Sequence, residues 1–206
     1  MPRSINLVTA DTPGARAKKI NALALAVFGN AASQGSVPSA AANLGVFAAD
    51  ANGSVHKTEF KLTATPVAIV DATTAGAGGG LELFDLPEGL VVLLGGSTNL
   101  TITRLGTNIT ATALVVGSLG TTAAAADATL TTTEADLIPS TVATLTAGAG
   151  TLKAKSVTAG ITVLDGTSAA KAVYLNFAMP DASSAGNDSL IVSGTVTLVW
   201  ASLGDN

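Results

Sequence analysis

From Val55 onward the chain alternates apolar and polar residues with the period of a β-strand. In Thr58-Glu59-Phe60-Lys61-Leu62, Phe60 and Leu62 share one face while Glu59 and Lys61 share the other, the mark of a half-buried strand. Leu81 to Phe84 makes a short strand, ended by the turn Asp85-Leu86-Pro87-Glu88-Gly89. Leu90 to Leu94 is continuously apolar and so predicts a strand buried on both faces, broken by Gly95 and Gly96. Leu100 to Thr103 alternates again, and Ile109 to Val116 does so more loosely. Near the end, Val173, Leu175, Phe177 and Met179 face one way and Tyr174 and Asn176 the other, up to Pro180. Leu190 to Trp200 predicts the last strand, with a bulge at Gly194.

Between these runs the sequence predicts turns and loops. Pro66 closes the first strand section, Gly76 to Gly80 reads as a flexible loop, and Asp127 to Pro139 as a long surface loop. About eight short strands with no helical pattern between them exclude a parallel α/β sheet and predict an antiparallel β-sandwich over residues 55–206.

Residues 1–54 follow another period. Ile20, Leu23, Ala24, Val27 and Phe28 repeat at helical spacing, with Thr12 as N-cap, Pro13 as first helical residue and Gly29 as the stop. The stretch from Asn30 to Asn52 has no period. This segment is expected to be an N-terminal extended arm with one short helix. Asp11 upstream and Asn21 within the apolar run argue against a cleaved leader.

Composition changes the picture in one respect. Hydrophobic residues make up 48% of the 206 residues and charged ones only 12%, against about a quarter charged in an ordinary soluble domain. So little charge points to a surface covered by neighbours in an assembly. Aromatics, at 3%, are too few to line a roomy pocket or a sugar platform. The net charge of −4 argues against nucleic acid as main partner, and no apolar run approaches the ~20 residues of a membrane-spanning helix. The chain has no cysteine, which excludes disulfides and thiolate chemistry. The cations Arg16, Lys18 and Lys19, beside the apolar Leu23, Val27 and Phe28, predict an arm that docks on an acidic protein surface.

The search for chemistry yields little. His56 is the only histidine; it could pair with Asp50 or Asp71, but no Gly-x-Ser-x-Gly elbow accompanies it, and a surface position is expected. Asp50-Ala51-Asn52-Gly53-Ser54 opens like a calcium loop, yet Lys61 stands at the twelfth position where a bidentate Glu belongs. The glycine runs lack the Gly-Lys-Ser/Thr ending of a phosphate loop. The carboxylate pairs Glu82 with Asp85 and Glu134 with Asp136 sit near turns and read as solvated. No catalytic residue, metal or cofactor is therefore expected, and the chain reads as a non-enzyme.

A series of phrases carries a resemblance: Arg3-Ser4-Ile5-Asn6, Thr9 to Lys18, Val55-His56-Lys57-Thr58, Asp85 to Gly89, Ser118-Leu119-Gly120-Thr121, Asp136 to Thr141, Leu164-Asp165-Gly166-Thr167, and Gly194 to Trp200. In this order the chain resembles the jelly-roll cement, or decoration, proteins of tailed-bacteriophage virions. The resemblance implies a jelly-roll sandwich behind the N-terminal arm. It also implies a homotrimer on the outer capsid surface, with the major capsid protein as partner and bridged capsid subunits as the result. A head fibre, spike or adhesin module binding host glycans is the alternative; exposed aromatic platforms would favour it.

Overall fold

The computed structural model describes residues 35–44, 46–50, 55–155 and 162–204. Among them lie a short helix α1 (Ser39–Asn43) and ten strands: β1 (Phe47–Asp50), β2 (His56–Asp71), β3 (Ala77–Asp85), β4 (Gly89–Arg104), β5 (Leu114–Gly120), β6 (Ile138–Thr144), β7 (Ala149–Lys155), β8 (Thr162–Gly166), β9 (Ala172–Met179) and β10 (Asp188–Gly204). All their pairings are antiparallel.

The strand order is β6-β5-β9-β3-β2-β10-β4-β7. The sheet curls so that β2, β10, β4 and β7, the front half, pack over β3, β9, β5 and β6, the back half. Side chains mark the contact: a Cβ on Gly117 of β5 would lie 2.5 Å from the Leu152 side chain of β7. The long strand that opens the sandwich lies beside the last one, and β3 lies beside β9. This nesting of early strands against late ones is the jelly-roll order. Two short strands extend the front half, β1 against β2 and β8 against β4.

Alternation in β2 produces this burial directly. His56, Thr58, Phe60 and Leu62 point inward while Lys57, Glu59 and Lys61 are exposed. Phe60, Leu62 and Leu198 of the front half meet Leu175 and Phe177 of the back half in the core, and Trp200 is fully buried with them. The expected bulge at Gly194 is present, where the register slips between Val192 and Gly194 at a φ of +131°.

Several local expectations are overturned. Gly76 to Gly80 is no flexible loop: from Ala77 it is strand β3 and mostly buried. Its glycines let neighbouring backbone come close, since a Cβ on Gly78 would collide with the Ala125 carbonyl oxygen. Pro66 does not end β2, which runs on to Asp71. Around Pro66 the strand has β10 on one side and no described pairing on the other, where pairing with β1 stops at Lys61 and pairing with β3 starts at Val70, so a missing N–H is tolerated. Gly95 and Gly96 do not break β4 either, and Leu94 is exposed rather than buried.

The helix expected over Thr12 to Gly29 lies outside the described residues. Packing on the sandwich nonetheless begins upstream of Val55. Ser36 and Asp85 exchange two backbone hydrogen bonds (2.8 and 2.7 Å), and Ala41 and Val46 are buried.

One buried group is left over. Among the described residues, Thr65 Oγ1 is buried without a hydrogen-bond partner. An unmade buried hydrogen bond costs about 1–3 kcal/mol, so Thr65→Val is expected to stabilise the fold by about 1 kcal/mol and raise Tm by about 2–4 °C. Calorimetry on the two proteins checks this; an unchanged or lower Tm would show that the hydroxyl is satisfied in solution.

Candidate interaction surface

The outer face of the front sheet is built by cross-strand register. Lys61, Thr195, Asn99 and Lys153 form one row across β2, β10, β4 and β7. Glu59, Thr197 and Ser97 form the next, and Ser193, Thr101 and Thr151 the one beyond. Directly opposed residues in antiparallel strands project from the same face, so this face is a field of hydroxyls and amides set with lysines. A shallow depression of about 330 Å³ opens on it between Ser97, Thr98, Asn99, Lys153 and Ala154. Its floor is tied down by the Ala154 N–H, which donates to Thr98 Oγ1 at 3.0 Å.

The outer face of the back sheet is covered by the chain's own loop, residues 121–137. Asn176 of β9, fully buried, holds it. Its Oδ1 accepts from the Ala124 N–H, and its Nδ2 donates to the carbonyls of Thr122 and Glu134, each at 2.8 Å. Ser118 Oγ donates to the same Glu134 carbonyl at 2.6 Å. The Glu134 carboxylate accepts the N–H groups of Ala125 and Thr131, and Asp136 accepts both the N–H and the hydroxyl of Thr121. Glu134 and Asp136 thus brace the loop instead of standing merely solvated.

Another carboxylate organises the end of the sandwich. Asp188 accepts N–H bonds from Gly106, Ser189 and Ile109 at 2.8–3.0 Å, and Arg104 Nη1 donates to the Ile109 carbonyl at 2.8 Å. Burial pushes the Asp188 carboxyl up, but donation from the backbones of Ile109, Ser189, Gly106 and Asn108 outweighs it and holds the group below the usual carboxylate range. On the back sheet, burial and the neighbouring Asp85 carboxyl push Glu82 up, while the Tyr174 hydroxyl, donating at 3.3 Å, works against them.

Neither a protein-family model nor a curated protein sequence matches this chain.

His56 is not a surface residue. It is 4% exposed and lies flat on Trp200, ring centroids 4.1 Å apart and planes 10° apart. It opens β2 and Asp71 ends it, at opposite ends of a strand that would span about 50 Å fully extended, so they do not share a proton relay. Among the described residues, no group of three or more His, Asp or Glu side chains is placed to hold a metal ion. The arm positions Arg16, Lys18, Lys19, Leu23, Val27 and Phe28 lie outside the described residues.

Sequence reasoning missed Asn176 and the lysine-bearing hydroxyl field. Asn176 carried one signal, an amide on the outer side of a strand otherwise made of apolar residues. The field had none locally, because its rows join residues as distant as Lys61 and Lys153.

Proposed function

We propose that this chain is a structural virion protein that binds the outer surface of a phage capsid and stabilises it by bridging neighbouring subunits. The jelly-roll strand order is the observation that carries this reading, since it is an architecture of viral shell proteins as well as of lectins and cupins. The surface chemistry supports the first of these. Among the described side chains, Trp200, Phe60, Phe84 and Phe177 are all in the core, and half-exposed Tyr174 offers a single small platform. A glycan reader needs aromatic faces in the open, whereas an extended field of Thr, Ser and Asn suits broad contact between proteins.

On this reading the basic and apolar residues of the N-terminal segment dock on the shell, and the sandwich reaches neighbours, with the trimer as its working form. Purified protein added to phage heads assembled without it is expected to bind and raise their heat resistance. A version lacking residues 1–34, which keeps the packed stretch from Ser36 to Val46, is expected to fold with a similar Tm but to lose binding. Failure of the full-length protein to bind any such head would sink the capsid reading, and binding to bare host cells would replace it with the adhesin.

A further inference from the structure

The described charges are divided unevenly between the two sheets. On the outer face of the front sheet, Lys57, Lys61 and Lys153 are exposed and Glu59 is the one acid in the same rows. The back sheet and its covering loop reverse the sign. Strands β3, β5, β6 and β9 with residues 121–137 contain Glu82, Asp85, Asp127, Glu134 and Asp136 and no Lys or Arg. Glu82 stands opposite Tyr174 on the outer side of β3, and the loop carrying Asp127 lies over the glycines of the same strand. Two exposed charges run against the division: Lys171 in the turn before β9, and Asp165 on β8 of the front half.

The two sheets are opposite faces of one sandwich, so among the described residues the lysines gather on one face and the acids predominate on the other. We infer that these faces meet between copies: the lysine-bearing hydroxyl field of one molecule takes the loop-covered acidic face of a second. Both halves of the complementarity belong to this chain, and the field is rich in Thr and Ser, whose short side chains allow close approach. Contact between two different patches is heterologous, so it propagates as a chain of molecules or closes into a ring. The inference does not need the capsid reading, because it concerns the purified protein alone.

Sedimentation of the full-length protein over a concentration series, at about 0.02 M salt and again at about 1 M where screening shortens to about 3 Å, reads the contact. Weight-average mass is expected to rise with concentration at low salt and to fall toward the single-chain value at high salt. Two variants reverse one face each: K57E/K61E/K153E makes both faces acidic, and E82K/D85K/D127K makes the back face basic. Each alone is expected to lose the association, and an equimolar mixture of the two is expected to regain it. Lys57, Lys61, Lys153 and Asp127 are exposed and Glu82 and Asp85 half-buried, and matched melting curves would show that the folds are intact. A wild type that stays monomeric throughout would overturn the inference. So would association that survives both reversals, or a mixture that fails to restore it.

Discussion

Replacing Trp200 with alanine is expected to cost about 3–5 kcal/mol of stability, a third or more of what a domain of this kind possesses. The indole is fully buried where the inner residues of β2 and β10 converge. One of its faces is covered by the His56 ring, the Phe84 ring packs 6.4 Å away, and its Nε1–H donates to Thr58 Oγ1 at 2.9 Å. Alanine would remove the ring from all three and leave a cavity that the paired strands cannot close. Trp200→Phe keeps an aromatic ring in the core but deletes the N–H and part of the indole's volume, so a smaller loss of about 1–3 kcal/mol is expected. Urea unfolding followed by far-UV circular dichroism measures both, and a loss below about 1 kcal/mol for the alanine variant would mean that this end of the core is open to water. Trp200 is the only tryptophan, so wild-type fluorescence reports on this site alone.

The same corner shows what the sequence could and could not convey. The alternation around Phe60, Leu175 and Leu198 names inward faces without any knowledge of partners, because a strand's two sides differ by simple parity. His56 obeys that parity as well, sitting two residues before Thr58 and four before Phe60, but its polarity disguised it as a surface residue. The jelly-roll order is beyond local pattern, for it joins β2 to β10 across more than a hundred residues. The hairpin between β6 and β7 went unread for a different reason. Its turn places Ala147 at φ +52° ahead of Gly148 at +84°, whereas the usual signal for two positive φ values is Asn-Gly or Asp-Gly. Glycines misled most. In Gly76 to Gly80 and again at Gly95-Gly96, their lack of a side chain signals flexibility in an isolated chain, yet here it admits neighbouring atoms into close packing. Burial decides between these meanings, and burial is a property of the whole fold.

The two outer faces differ because of how the back sheet was finished. Gly78, Gly80 and Ala178 leave its outer side nearly bare of side chains, so the 121–137 loop can lie flat upon it. That loop brings Asp127, Glu134 and Asp136 with it. The front sheet carries Thr, Asn and Lys at the corresponding positions and keeps its face open. One amide is central to this division.

Asn176→Ala is therefore expected to loosen the covering loop and to cost about 2–5 kcal/mol. The substitution strands the Ala124 N–H and the Thr122 carbonyl, each worth about 1–3 kcal/mol if it stays dry. The Glu134 carbonyl keeps the Ser118 hydroxyl and suffers less. Water can relieve the stranded groups only if the loop lifts from β3, so part of the cost should appear as local opening. Hydrogen exchange is expected to show protection falling first at residues 121–130, while the paired core of β2 and β10 keeps its relative order. Asn176→Asp supplies the control in chemistry. A carboxylate still accepts from Ala124 but cannot donate, and it places a charge against the Thr122 and Glu134 carbonyls, so it should be at least as damaging as alanine. If the aspartate variant instead matched the wild type in both stability and exchange, the amide would not be the clasp. The loop would then be held by Glu134 and Asp136 alone.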